Sequence, residues 1–398
     1  MLKDYLVTFL TVILVILLLA TNSKKSSEYN PVKADFYVWQ HQWNKKLEVN
    51  VLKSDRKFSI LIAEFNGKKQ FKEIFIPQDI LSKKNITWVI RVSVDYIKNM
   101  PLKKILSLVQ KYRMKKIQLD VDVPESKLCL YYCFLLNFKK RLGKNIEFSI
   151  TALPCHLKHF EFRKISKIVD YYVLQVHGIN FPKSINEKCA LMKESVVTRA
   201  INKALSLGNP FKVALPTYAY ILCFDKVSGK FRKLAAENGN EIILRKNYDL
   251  KVIEPDVKLI QHLFKNYGKS VKFIWFRLPD EKDKFNFDLK SIEKIEQCEN
   301  FVKKIALSLK RVGNNQIDLY IKNKGIISID TINLDLKWHG FNNGEFDLFC
   351  RTLNRSKNRA YAVLPTKLDS EIPPCGKKRK IASFYVETKK MLTVTIGQ

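Results

Sequence analysis

Residues 116–153 read KIQLDVDVPESKLCLYYCFLLNFKKRLGKNIEFSITAL and hold one complete unit of a repeating fold. In Lys116–Val123 apolar and polar side chains alternate, the period of a strand. Pro124 breaks that strand, because proline gives no ladder hydrogen bond. Lys127–Leu142 carries apolar residues three and four apart, the period of a helix. Glu147–Leu153 then returns to a β-branched and aromatic run. Two strands joined by such a helix run parallel, with a right-handed crossover.

The same alternation extends outward in both directions. Strand-like runs fall at Phe36–Trp39, Phe58–Phe65, Thr87–Ser93, Lys116–Val123, Glu147–Leu153, Tyr171–His177, Phe211–Thr217 and Lys272–Leu278. Helical periodicity covers Leu102–Tyr112, Asn186–Leu207 and Pro255–Tyr267, the last with proline in its first turn. The gap between the second and third runs is less clearly helical. Eight β/α units close into a TIM-type (β/α)8 barrel, which leaves no free sheet edge. An open doubly wound sheet is the other solution. It calls for a Gly-x-Gly-x-x-Gly turn, which is absent from a chain with only 13 glycines. Tyr220–Glu237 reads as an inserted hairpin, turning near Ser228-Gly229, just past the seventh strand. Beyond residue 299 the helical period vanishes, and short alternating strands separated by Asn/Gly turns predict a sandwich-like all-β domain. The expected organisation is 1–22 signal peptide or membrane anchor, 23–33 linker, 34–298 barrel and 299–398 β-domain.

Tyr5–Ala20 is sixteen residues without charge, apolar on every face. It predicts export, with the chain membrane-anchored or held in the periplasm or cell envelope. The formal net charge of +33 is mostly lysine spread along the whole length. No Arg-rich helix or finger spacing accompanies it, so a specific nucleic-acid partner is not expected. None of the eight cysteines forms a Cys-x-x-Cys, and spacing with histidine for metal ligation is missing. No metal or other cofactor is expected, and the cysteines read as small buried apolar residues. Serine nucleophile elbows, HExxH and phosphate loops are absent too, which argues against α/β-hydrolase, zinc-protease and nucleotide-transfer chemistry.

In such a barrel, function gathers at the C-terminal ends of the strands. In the fourth run Gln118, Asp120 and Asp122 share one face. Two carboxylates at that spacing repel, which raises one pKa and can make an acid and a base from one residue type. Glu64 ends the second run and is a further candidate carboxylate. Arg91 ends the third and suits a carboxylate or an anionic substrate group. Gln175 and His177 share a face of the sixth run, and His177 is a candidate acid/base or orienting donor. Trp39 and Gln40, Tyr218, and Trp275 with Arg277 close the first, seventh and eighth runs and are candidate substrate contacts.

Taken together, Tyr37-Val-Trp-Gln40, Gln118-Leu-Asp-Val-Asp122, Ser149-Ile-Thr-Ala-Leu-Pro154, Val173-Leu-Gln-Val-His177, Phe211–Tyr218 and Ile274–Pro279 resemble, over residues 34–280, a bacterial family of exported proteins known as domain of unknown function 3142. The resemblance implies a bacterial source, export and a barrel related to glycoside hydrolases. It brings no established activity. A looser similarity touches the chitinase-like barrels, whose fourth strand ends in Asp-x-Asp-x-Glu. Asp120 and Asp122 match the two aspartates, Pro124 stands where the glutamate belongs, and Glu125 falls one residue late. The leading reading is a glycoside hydrolase acting on a polysaccharide through carboxylates at the barrel mouth. The alternative is a non-catalytic glycan-binding protein of the envelope. Charge-driven binding to nucleic acid or another anionic surface is a third reading.

Overall fold

The computed structural model describes residues 31–398 apart from 68–69, 84, 236–246, 281–282, 284–285, 301–304, 313–315, 325–331, 339–343, 347–350, 357–358, 365–377, 386–391 and 397–398. Residues 1–22, where an anchor or signal peptide is expected, lie outside the described part. Among the described residues no helix is long and apolar enough to cross a membrane.

All eight predicted strands form. They are β1 (Asp35–Val38), β2 (Phe58–Asn66), β4 (Ile86–Val92), β5 (Lys116–Asp120), β6 (Glu147–Ala152), β7 (Tyr171–Gln175), β8 (Phe211–Pro216) and β12 (Lys272–Phe276). Neighbours pair in parallel, and β1 closes the ring by pairing with both β12 and β2 through Phe36. The barrel is therefore shut, and the open-sheet alternative is excluded. Most strand residues are buried on both faces, as parallel strands under a helical layer must be.

The helices are α1 (Lys45–Lys53), α2 (Gln78–Leu81), α3 (Leu102–Lys111), α4 (Leu128–Arg141), α5 (Phe160–Ile165), α6 (Glu194–Leu207), α7 (Val257–Tyr267) and α8 (Leu289–Glu296). Helix α4 turns Leu128, Tyr131, Leu135 and Phe138 onto the barrel, the spacing of one helical face. Cys129 and Cys133 fall on its outer face and are exposed thiols, contrary to the buried role expected of them.

Four local departures from the expected elements have physical causes. β1 ends opposite Ile60, so the second half of β2 has no partner on that side. The strand β3 (Gln70–Glu73) folds back antiparallel and covers Ala63–Asn66, which is why the gap before β4 lacks a helical period. Residues 186–193 do not join α6, because Leu191 is drawn into an apolar cluster with Tyr218, Leu222 and Phe224. Pro255 precedes α7, because the side chain of Asp256 caps that helix by accepting from the Leu259 N–H. The predicted hairpin forms as β9 (Tyr220–Asp225) and β10 (Phe231–Ala235), and gains a third strand, β11 (Tyr248–Ile253), on its other side. Asp225 Oδ1 accepts from the N–H groups of Val227 and Ser228 across the turn, and Gly229 takes the positive φ of 63° that the turn demands.

The ring is clasped at its base by Glu296, the last residue of α8. Its carboxylate accepts two bonds from Arg56, at 2.6 and 2.7 Å, one from Trp275 Nε1 at 2.8 Å and one from the Ala34 N–H at 3.0 Å.

Among the described residues beyond 304, all regular structure is β-strand. β13 (Ile305–Val312), β14 (Gln316–Asn323), β16 (Gly344–Phe346) and β19 (Lys378–Tyr385) make one antiparallel sheet. β15 (Ile332–Trp338), β17 (Arg351–Ser356), β18 (Arg359–Leu364) and β20 (Leu392–Ile396) make another. In β14 the apolar Ile317, Leu319 and Ile321 fall at every second position and are buried, with Asp318 buried between the first two.

Candidate active site

Parity along each strand decides which side chains enter the barrel. On β5, Gln118 and Asp120 point inward. Gln118 Nε2 donates to the Tyr37 hydroxyl on β1 at 2.6 Å. Burial, with the Asp120 charge adding to it, holds the Tyr37 phenol well above its ordinary pKa, so it stays protonated. Above this layer Asp120, only 1% exposed, is the hub of the mouth. Its Oδ1 accepts from Thr151 Oγ1 at 2.8 Å and from Gln175 Nε2 at 3.4 Å, and its Oδ2 lies 3.1 Å from Arg91 Nη1. The other nitrogen of the same fork, Nη2, reaches Asp122 Oδ2 at 3.2 Å. One guanidinium thus bridges both aspartates, which a lysine cannot do with the same fixed geometry.

The two carboxylates differ in environment. The Asp122 side chain is 52% exposed, against 1% for that of Asp120. Burial pushes Asp120 up to about 6; the Arg91 charge opposes the shift and the Asp122 charge reinforces it. Such a split between neighbouring carboxylates is the arrangement that yields an acid and a base.

That shift has a stability consequence with a definite sign. The folded chain holds the Asp120 proton up to about pH 6, whereas the unfolded carboxyl releases it near 3.8. Stability from this group is therefore complete below about pH 4 and falls as pH rises to about 6, by an amount on the order of 3 kcal/mol. Asp120→Asn, which mimics the neutral form, is expected to unfold at higher urea than the wild type at pH 8. The two are expected to converge near pH 4. A variant less stable at pH 8 would show that Arg91 outweighs burial.

Glu64 and Arg91 are register partners on β2 and β4, and Arg91 and Asp120 on β4 and β5. Glu64 therefore flanks Arg91 on the side opposite the aspartates, and its Oε2 lies 3.1 Å from His41 Nε2. Trp39 sits beneath Arg91, whose guanidinium carbon is 5.8 Å from the ring centroid. Phe276 at the end of β12 packs edge-on or tilted against Tyr37, Trp39 and Tyr218 and stacks on His177 at 5.4 Å. His177 Nδ1 is 3.1 Å from the Tyr218 hydroxyl. Burial drops the His177 imidazole to about 4, so it is neutral at ordinary pH.

Of the residues singled out from sequence, Trp39, Glu64, Arg91, Asp120, Asp122, Gln175, His177 and Tyr218 come together at this mouth, with Gln118 in the buried layer beneath it. Three serve elsewhere. Trp275 is a correction: it points outward, fully buried against Phe264 with its Nε1 on Glu296, because parity at the end of β12 gives the inward place to Phe276. Gln40 is turned into the wall, accepting from the Trp39 N–H and donating to the Leu278 carbonyl at 2.7 Å. Arg277 is held by Asp283 at 2.7 Å. Thr151, Tyr37, His41 and Phe276 are site residues that the sequence reading passed over. Thr151 was detectable, since it shares parity with Ser149 on a strand in register with β5.

Glu125, one residue past the expected glutamate position, is committed away from the mouth. Lys158 at 2.8 Å and His159 at 2.5 Å hold it and pull its carboxyl down to about 2. His156 braces the turn beneath, accepting from the Leu153 N–H and donating from Nε2 to the Val123 carbonyl at 2.7 Å.

Residues 96–281 match the family model described as Domain of unknown function (DUF3142). That segment is similar to the DUF3142 family. The resemblance drawn from the sequence motifs is borne out there, over just under half of the chain. The matched segment supplies Asp120, Asp122, Thr151, Gln175, His177, Tyr218 and Phe276, while Trp39, Glu64 and Arg91 precede it. No curated protein matches the chain. Similar solved structures include a chitinase from Bacillus thuringiensis, 10% identical with a TM-score of 0.45, covering 92% of this chain and 100% of that one. The spore cortex-lytic enzyme SleL from Bacillus cereus is 14% identical with a TM-score of 0.44, covering 62% of this chain and 72% of its own. The chitinase ChiB of Flavobacterium johnsoniae is 11% identical with a TM-score of 0.45, over 67% and 94%.

Proposed function

We propose that this protein is an exported glycoside hydrolase whose barrel mouth binds and cleaves a polysaccharide. The observation that carries the reading is the aspartate pair at the C-terminal end of β5: one carboxyl buried with its pKa raised to about 6, the other half-exposed, both on one guanidinium. The two carboxyls share one proton, and we assign its delivery to the leaving oxygen to Asp122, the member that can touch a ligand. Glu64, on the other side of Arg91, is the second carboxylate and accepts the proton of the attacking water. The glycosidic C–O bond breaks, the sugar carbon takes the water hydroxyl, and the leaving oxygen keeps a proton. Asp120 is too buried to meet the substrate. It tunes Asp122 through Arg91 and is a positioning residue. Trp39 and Phe276 offer ring faces to a sugar. The apolar run Tyr5–Ala20 supports placement at the cell envelope.

One observation favours the second reading, a glycan-binding protein without turnover. Proline occupies the position of the expected proton donor, and Glu125 is locked to Lys158 and His159. The test is release of reducing ends from a panel of polysaccharides by the purified full chain across pH 4–9. Turnover is expected, with a limb near pH 6 that shifts or disappears in Asp120→Asn. Glycan binding with no released ends at any pH would replace the hydrolase reading by the second.

A further inference from the structure

The mouth continues on the side of β7. A groove of about 680 Å³ opens between the turn that follows β6 and helix α6, with Gln175 and His177 at its inner end. Leu153, Leu157 and Val196 are among the apolar side chains that line it, and Lys158, Lys193, Arg199 and Lys203 are its cations. Val196, Arg199 and Lys203 are three and four residues apart on α6 and so share one helical face. Lys158 is paired with Glu125. Lys193, Arg199 and Lys203 have no ion-pair partner among the described residues.

A second feature points to what the groove takes. The Nε2 of His177 is buried without a hydrogen-bond partner. The Tyr218 hydroxyl lies 3.1 Å from His177 Nδ1 and 3.2 Å from the Tyr220 hydroxyl, so Nδ1 is the partnered nitrogen of the imidazole. This leaves Nε2 unmet on a residue that lines the groove, and an unmet buried nitrogen, acceptor or donor according to the tautomer, is costly until a partner arrives. A hydroxyl group both donates and accepts and so meets either need; an acyl chain meets neither.

We propose that this groove is a binding subsite for an acidic polysaccharide, with sugar C–H faces on the apolar floor, anionic groups on Lys193, Arg199 and Lys203, and a sugar hydroxyl on His177. The proposal rests on the reading of the mouth as a glycan site and names the substrate class. The anion is a carboxylate or a phosphodiester. The two are separated by comparing a galacturonate hexamer with a glycerol-phosphate oligomer.

The experiment is titration calorimetry on the full chain with both acidic oligomers, with neutral cellohexaose, and with phosphatidylglycerol vesicles. At least one acidic oligomer is expected to bind about tenfold or more tighter than the neutral one at low salt, with the gap narrowing as salt rises. The surface double variant Arg199→Glu with Lys203→Glu is expected to abolish that gap and leave cellohexaose affinity unchanged. Lys193→Glu is expected to give a smaller loss in the same direction. Equal affinity for neutral and acidic chains, indifference to the charge reversals, or capture of vesicles with no oligosaccharide bound would each overturn the proposal. The two readings fail separately. Acidic chains bound through these cations without release of reducing ends would keep the groove and remove the hydrolase. Turnover of a neutral polysaccharide untouched by the reversals would do the opposite.

Discussion

Asp122→Asn is expected to lower the rate of polysaccharide cleavage by about 10²–10⁴-fold, the usual contribution of a positioned proton donor, while leaving KM within about threefold. Asparagine keeps the shape of the side chain and can still accept a bond from Arg91 Nη2, so the mouth stays assembled. It carries no transferable proton at the leaving oxygen. A second readout belongs to the same variant. The Asp122 charge is one of the influences that raise Asp120, so its loss frees Arg91 to act on Asp120 alone and the Asp120 pKa falls. The pH dependence of urea stability should move to lower pH in step with the loss of turnover. Wild-type turnover, or a change confined to KM, would show that Asp122 only holds substrate. A shift in the stability profile without a loss of rate would keep the electrostatic coupling and remove the catalytic role.

Glu296→Ala is expected to cost about 3–5 kcal/mol, the range for breaking a buried ion pair from one side. Four donor contacts converge on this carboxylate: two from Arg56, one from the indole of Trp275 and one from the Ala34 N–H. The Glu296 and Arg56 side chains are 3% and 10% exposed, so solvent cannot replace what alanine removes. The guanidinium is left charged and unpaired beneath the barrel wall. Glu296→Gln retains an acceptor and the volume, and should lose less. Guanidinium denaturation followed by tryptophan fluorescence reads both, since Trp275 is itself a partner. Equal stability of wild type and Glu296→Ala would mean that water enters the site and the clasp contributes nothing.

The strands were legible because β-branched and aromatic residues cluster in short runs, each followed by a connector. The acidic pair was legible for a different reason: Gln118, Asp120 and Asp122 are polar in a strand that the rest of the pattern buries. Arg91, at the end of the third run, suited either a carboxylate or a substrate anion, and the structure gives it two carboxylates. What escaped depends on information that the period does not hold. In Lys272–Phe276 apolar residues occupy both faces, as in most parallel strands, so nothing local says that Phe276 enters the mouth and Trp275 faces outward. The extra strand β3 arises from unequal lengths of β1 and β2, a property of the closed ring. Residues 186–193 look helical in isolation and lose that state to Leu191 packing under β9. The bond from Glu296 to the Ala34 N–H joins residues 262 positions apart, beyond any local pattern.

The closed ring sets a limit on any recombinant fragment. Three of its eight staves, β1, β2 and β4, precede residue 96, where the recognisable segment begins. A truncation to residues 96–281 would keep Asp120 and Asp122 but lose Arg91, and would leave β5 and β12 as raw borders able to recruit other chains. Aggregation, rather than a smaller working enzyme, is the expected product. The shortest self-sufficient piece has to run from before Asp35 through Glu296.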